Sequence, residues 1–129
     1  MGPMPREIVI VDDHEAVRDA LLGMVEEAGY VAVAFSNAAA ALARISEHRP
    51  TLVLLDMMMP EIDGADFLAR LERMQDGRSV PVIIVSAMGH LLQGMRHSDV
   101  HAAGVAEVLS KPVSYTTLID AVRRVIGPP

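Results

Sequence analysis

Two aspartates stand side by side at Asp12 and Asp13, directly after a run of four apolar residues at 8–11. Asp56 closes a second such run in LLDMMMP, Ser86 a third in IIVSAM, and Lys111 follows a fourth in VLSKPV. Carboxylates about 5 Å apart repel by roughly 3 kcal/mol at an effective dielectric near 20, so three brought together would raise their pKa values or bind a cation. An all-oxygen set without a dedicated cage suits Mg²⁺, which keeps several waters and commonly shares its shell with a phosphate. Lys111 then offers a positive point charge opposite the metal, and Ser86 a hydrogen-bond donor for an oxyanion. Such a set fits a phosphoryl group, and a carboxylate can itself accept one as an aspartyl phosphate. Asp56 is the candidate acceptor, because it stands alone on the central run between the acid pair and the Ser86 and Lys111 segments.

These residues converge only if the elements before them lie in one sheet. Short apolar runs recur at 8–11, 31–35, 52–55, 82–85 and 105–109, most of them apolar on successive positions, which suits strands covered on both faces. Helical spacing fills the gaps. Val17, Leu21, Met24, Val25 and Ala28 share one stripe that Gly29 stops; Leu42 and Ile45 mark a second helix capped by Asn37; Phe67, Leu68 and Leu71 mark a third. Leu118, Ile119, Val122 and Ile126 mark the last, with Ser114 as its cap. The weak member falls between Ala87 and Gly104, where Gly89 and Gly94 interrupt the pattern. Strict β-α alternation predicts an α/β fold, a parallel sheet with helices on both faces. All five polar residues then stand at carboxyl ends of strands, the edge where open α/β sheets bind ligands.

Composition narrows the function. The chain has 129 residues, half of them hydrophobic, no cysteine and a formal net charge of -6. That predicts one domain with one core, and excludes disulfide frameworks and thiolate metal sites. An acidic chain lacks the basic face that grips a phosphate backbone, so direct nucleic-acid binding is not expected. No apolar run approaches the roughly 20 residues of a membrane span and no signal peptide is visible, so a cytoplasmic location is expected. Residues 1–3 read as a cloning remnant, 4–127 as the domain, and 128–129 as a tail or the start of a linker.

Taken together, the acid pair Asp12-Asp13, the segment DMMMPEIDG from Asp56 to Gly64, Ser86-Ala87 and Lys111-Pro112 resemble the receiver domain of bacterial two-component response regulators. The resemblance implies a flavodoxin-like (βα)5 three-layer sandwich with sheet order 2-1-3-4-5, which sets strands 1 and 3 side by side. It implies that Asp56 is the phosphoacceptor. It also implies that Asp13, Asp56 and the backbone carbonyl of Met58 bind Mg²⁺ with help from Asp12, and that Ser86 and Lys111 contact the phosphoryl oxygens. A cis Lys111-Pro112 bond belongs to the same pattern. The implied donor is a sensor histidine kinase or a histidine phosphotransfer protein. The downstream target stays open, as does association into a homodimer. One departure stands out: the aromatic residue common three positions before the lysine is Val108 here, whose β-branched side chain cannot make the same rotamer swing. Read-out is therefore expected to pass through the segment from about Met88 to Ala103.

Blander readings compete at several positions. Asp13 alone suits a helix cap, and Lys111 alone suits a solvated lysine. Asp63-Gly64 reads as turn chemistry, and part of Met57, Met58 and Met59 as core filling. His14 reads as a helix-start residue. His97 and His101, four apart, share a helical face that could hold a metal, but with His90 they read as surface residues. Two other functions remain: a metal-dependent phosphatase using an aspartyl phosphate, and an unphosphorylated interaction module. The haloacid-dehalogenase phosphatases carry an acid two residues after the nucleophile, where this chain has Met58.

Overall fold

The computed structural model describes residues 6–59, 63–74, 80–87 and 104–129. Strands β1 (Glu7–Val11), β2 (Val31–Phe35), β3 (Leu52–Leu55), β4 (Val82–Ser86) and β5 (Val105–Ser110) form one sheet of order β2-β1-β3-β4-β5. All four pairings are parallel. Among the described residues the helices are α1 (Glu15–Glu27), α2 (Ala38–Glu47), α3 (Gly64–Met74) and α4 (Tyr115–Ile126). The helix expected between Ala87 and Gly104 falls almost wholly in 88–103, outside the described residues, as do Met88, His90, His97 and His101. The flavodoxin-like order and the expected strands are borne out.

Strand pleating sorts the core into two layers, because successive side chains point to opposite faces. Val9, Val11, Val53, Leu55, Val82 and Ile84 pack on one face with Ala38, Ala41 and Ile45 of α2 and Phe67, Leu68 and Leu71 of α3. Ile8, Ile10, Leu52, Leu54, Ile83 and Val85 pack on the other, with Leu21 and Val25 of α1 and Leu118, Ile119 and Val122 of α4. The central strands β1, β3 and β4 are therefore buried on both sides, which is why they read as unbroken apolar runs.

Local chemistry sets the helix limits. Asn37 accepts a hydrogen bond from Ala40 N–H at 2.8 Å and caps α2, and Ser114 accepts one from Thr117 N–H at 3.1 Å and caps α4. Asp63 does the same for α3, its Oδ1 accepting Asp66 N–H at 2.9 Å. Gly29 ends α1 with φ of 102°, a left-handed backbone that only glycine adopts without strain.

One irregularity bears on the site. Val82 pairs with Val105, but Ile83 pairs with Glu107, so β5 gains one residue on β4 at Ala106. Such a bulge reverses the facing of everything after it. Val105 and Val108 consequently share the α2–α3 face, whereas Leu109 turns to the α1–α4 face. Lys111, two residues on, follows Leu109.

Candidate functional site

Each candidate residue stands at or just past the end of a strand, and three of them are still held by a neighbouring strand's hydrogen-bond ladder. Asp12 N–H donates to Phe35 O at 3.1 Å, Asp56 N–H to Val11 O at 3.0 Å, and Lys111 N–H to Ser86 O at 2.9 Å. Their backbones are as fixed as the sheet itself. The pairing Val11↔Leu55 sets Asp12 beside Asp56. Asp12 continues the alternation of Ile8 and Ile10, Asp56 that of Leu52 and Leu54, and Lys111 that of Leu109, so all three lie on the α1–α4 side.

The side chains meet accordingly. Lys111 Nζ donates to Asp12 Oδ2 at 2.8 Å and lies 3.7 Å from Asp56 Oδ2, an ion-pair distance too long for a hydrogen bond. Asp12 is 1% exposed, Asp56 3% and Ser86 0%. Asp12 Oδ1 accepts His14 N–H at 2.9 Å, and Asp56 Oδ1 accepts Met58 N–H at 3.1 Å. Two buried oxygens have no hydrogen-bond partner among the described residues: Asp13 Oδ1 and Asp56 Oδ2. Asp12, Asp13, His14 and Asp56 each present one potential ligand atom, all within 4.8 Å of one another. Buried acceptors without donors are costly, and here they are grouped where a cation would satisfy both. The residues therefore fit a divalent ion.

Burial holds the Asp56 carboxyl above the usual carboxylate range. The Met58 N–H and Lys111 pull it back down, while the charges of Asp12 and Asp13 push it further up. A carboxylate kept basic in this way is a better nucleophile, and its charge invites a cation.

Around this cluster the segment after Asp56 is tightly seated. Gly64 N–H donates to Met57 O at 3.1 Å, and a Cβ on Gly64 would lie 2.6 Å from Met57 Cα. Met57 and Met59 pack on the core, whereas Met58 is 54% exposed, so only part of the methionine run fills space. The Lys111-Pro112 bond is cis. Beside Lys111, Ala16, Val17, Ala20, Leu21, Met24, Pro112 and Val113 line an apolar groove of about 370 Å³. Val108 is half-buried against the α2–α3 core layer.

Two blander readings give way. Asp13 is not the cap of α1: the N-cap residue is His14, without a side-chain capping bond. Lys111 is not a solvated lysine, since it is 14% exposed and bonded to Asp12. Sequence reasoning missed Arg18, whose guanidinium donates to the Asp12 backbone carbonyl at 3.1 Å and braces the acid loop from the first turns of α1. Its spacing of four from His14 was the available signal. The approach of the His14 ring to the acids was missed as well: its Nδ1 lies 3.2 Å from Asp13 Oδ1 and 3.4 Å from Asp12 Oδ1.

A parallel sheet of this order, with buried acids and a lysine at its carboxyl edge, defines a receiver, and the family's model agrees. The response regulator receiver domain matches residues 8–123, and the chain belongs to that family. Its relatives include the polar-differentiation response regulator DivK of Brucella anthropi, 30% identical over 96% of this chain and 98% of that protein. Among solved structures, a sensor protein from Polaromonas superposes with a TM-score of 0.84 at 26% identity, covering 96% of this chain and 97% of the other. A CheY-like receiver domain protein from Methanospirillum hungatei superposes with 0.80 at 25% identity, over 94% and 93%.

Proposed function

We propose that this receiver is a phosphorylation switch in which Asp56 accepts a phosphoryl group from a sensor histidine kinase or a histidine phosphotransfer protein. The observation that carries the reading is the buried Oδ2 of Asp56, which accepts no hydrogen bond among the described residues and is flanked by two acids and a lysine. Asp56 Oδ2 attacks phosphorus as the donor's P–N bond breaks, so one P–O bond replaces one P–N bond and the imidazole leaves with its electron pair. Lys111, 3.7 Å from the attacking oxygen, balances charge on the phosphoryl oxygens, and Ser86 at the end of β4 donates to one of them. Asp13, Asp56 and the Met58 carbonyl would hold Mg²⁺, with Asp12 assisting. When bound, the ion neutralises charge on the carboxylates and on the incoming group.

The domain spans 4–127 and acts in the cytoplasm. It catalyses only its own modification and its reversal, and it relays the change through its surface to a downstream protein. Val108, in place of the family's aromatic, makes a rotamer swing near the lysine a poor route for that relay. Among the described residues no helix is long and apolar enough to cross a membrane.

Incubation with acetyl phosphate, followed by intact mass measurement, tests the reading. One phosphoryl group should appear in the presence of Mg²⁺, disappear with chelator, and be absent in Asp56→Asn. Undiminished labelling of Asp56→Asn would overturn the assignment.

A further inference from the structure

We infer that His14 turns the acid cluster into a mixed nitrogen–oxygen metal site, one that takes a borderline first-row ion such as Co²⁺, Ni²⁺ or Zn²⁺ through the imidazole Nδ1. The inference rests on the proposed metal role of Asp13 and Asp56 and adds to it the residue that selects the ion.

His14 occupies the N-cap position of α1, where Ser, Thr, Asp or Asn ordinarily accepts a backbone hydrogen bond. Its side chain makes no such bond. The ring lies instead over the acid pair, Nδ1 at 3.2 Å from Asp13 Oδ1 and 3.4 Å from Asp12 Oδ1, although the residue is 63% exposed and nothing confines it by burial. Two ligands bound at about 2.1 Å to a tetrahedral ion stand about 3.4 Å apart, and about 3.0 Å apart on an octahedral one. The observed spacings fall in that interval. A second observation points to a ligand at the same place: among the described residues Asp13 Oδ1 and Asp56 Oδ2 are buried and accept no hydrogen bond, and Asp56 is 3% exposed.

Nitrogen in the ligand set changes the preference. Mg²⁺ gains little from imidazole, whereas borderline ions gain strongly and rise in affinity toward the end of the first row. An ion pair between a protonated His14 and the two carboxylates would give the same distances, so the experiment must separate coordination from charge pairing.

Calorimetric titrations of the whole chain with Mg²⁺ and with Co²⁺ do so, compared among wild type, His14→Ala and Asp56→Asn. The exposed, non-capping His14 side chain can be removed without loss of the fold, and retained Mg²⁺ binding verifies it. Coordination lowers the Co²⁺ affinity of His14→Ala by roughly ten- to a hundredfold and leaves Mg²⁺ within about twofold. Proton NMR of the Co²⁺ form should show a hyperfine-shifted, exchangeable imidazole N–H that disappears in both variants. Unchanged Co²⁺ affinity and spectrum in His14→Ala, with Mg²⁺ still binding, would overturn the inference and leave the Mg²⁺ reading standing. Failure of wild type to bind either ion would overturn both.

Discussion

Replacing Asp56 with asparagine should make the metal-free protein more stable. The ligand oxygens of Asp12 and Asp13 lie within 4.8 Å of that of Asp56, and unit charges at that separation repel by roughly 3.5 kcal/mol each at an effective dielectric near 20. Against these stands one attraction, Lys111 Nζ at 3.7 Å, worth roughly 4.5 kcal/mol on the same scale. The balance is unfavourable by about 2.5 kcal/mol before the cost of burying the carboxylate is counted. Asparagine removes both penalties, keeps the acceptor for Met58 N–H, and forfeits about 1 kcal/mol of charge-assisted hydrogen bonding. A gain of about 2 kcal/mol at pH 7 is expected, which in a domain of this size raises the melting temperature by roughly 6–10 °C. The pH dependence has a definite sign. Asp56's folded pKa is raised, so its unfavourable contribution is greatest above that pKa and fades as pH falls through it. The gap between variant and wild type should therefore narrow on acidification. Added Mg²⁺ should close it too, by stabilising wild type far more than the variant. Urea unfolding at several pH values, with and without Mg²⁺, measures all of this; a metal-free Asp56→Asn no more stable than wild type at pH 7 would refute the reasoning.

Three further outcomes follow from the same geometry. Lys111→Met keeps the aliphatic stem but leaves the buried Asp12 charge unpaired, and should cost about 3 kcal/mol in urea unfolding, part of it recovered with Mg²⁺. Gly64→Ala places a Cβ 2.6 Å from Met57 Cα, so the segment after Asp56 must shift; a loss of roughly 1–3 kcal/mol and slower acetyl phosphate labelling are expected. Met58→Asn puts an amide where an apolar side chain now stands beside Asp56, able to orient an attacking water, and should speed loss of the phosphoryl group roughly fivefold in a decay assay.

The strand ends were legible because a polar residue at the end of a doubly buried strand breaks an otherwise unbroken apolar run, and Asp12, Asp56 and Ser86 all do so. The caps at Asn37 and Ser114 were legible for a similar reason, since their chemistry is local. The shift at Ala106 was not. No glycine or proline marks it, and 105–109 reads as one continuous strand, yet Lys111 shares a face with Asp12 only because of that extra residue. The orientation of His14 was equally hidden: its position at the helix start is a local property, but the approach of its ring to Asp13 is set by side-chain and loop geometry that residue spacing does not encode.

At the opposite edge of the sheet, Arg6 donates to the carbonyls of Ile126 and Pro128, Tyr30 OH donates to Gly127 O at 2.7 Å, and a Cβ on Gly29 would lie 3.1 Å from the Pro129 ring. The two ends of the described chain are thus fastened to one another, and the path of the backbone is almost a closed ring. A short linker from residue 129 back to residue 6 would complete that ring without crossing the acid edge, which lies a helix length away, about 18 Å for the twelve residues of α4. Opening the ring at the exposed Ser36 would then give a permuted chain with the same sheet, and with new termini beside the acids where a reporter protein could be attached.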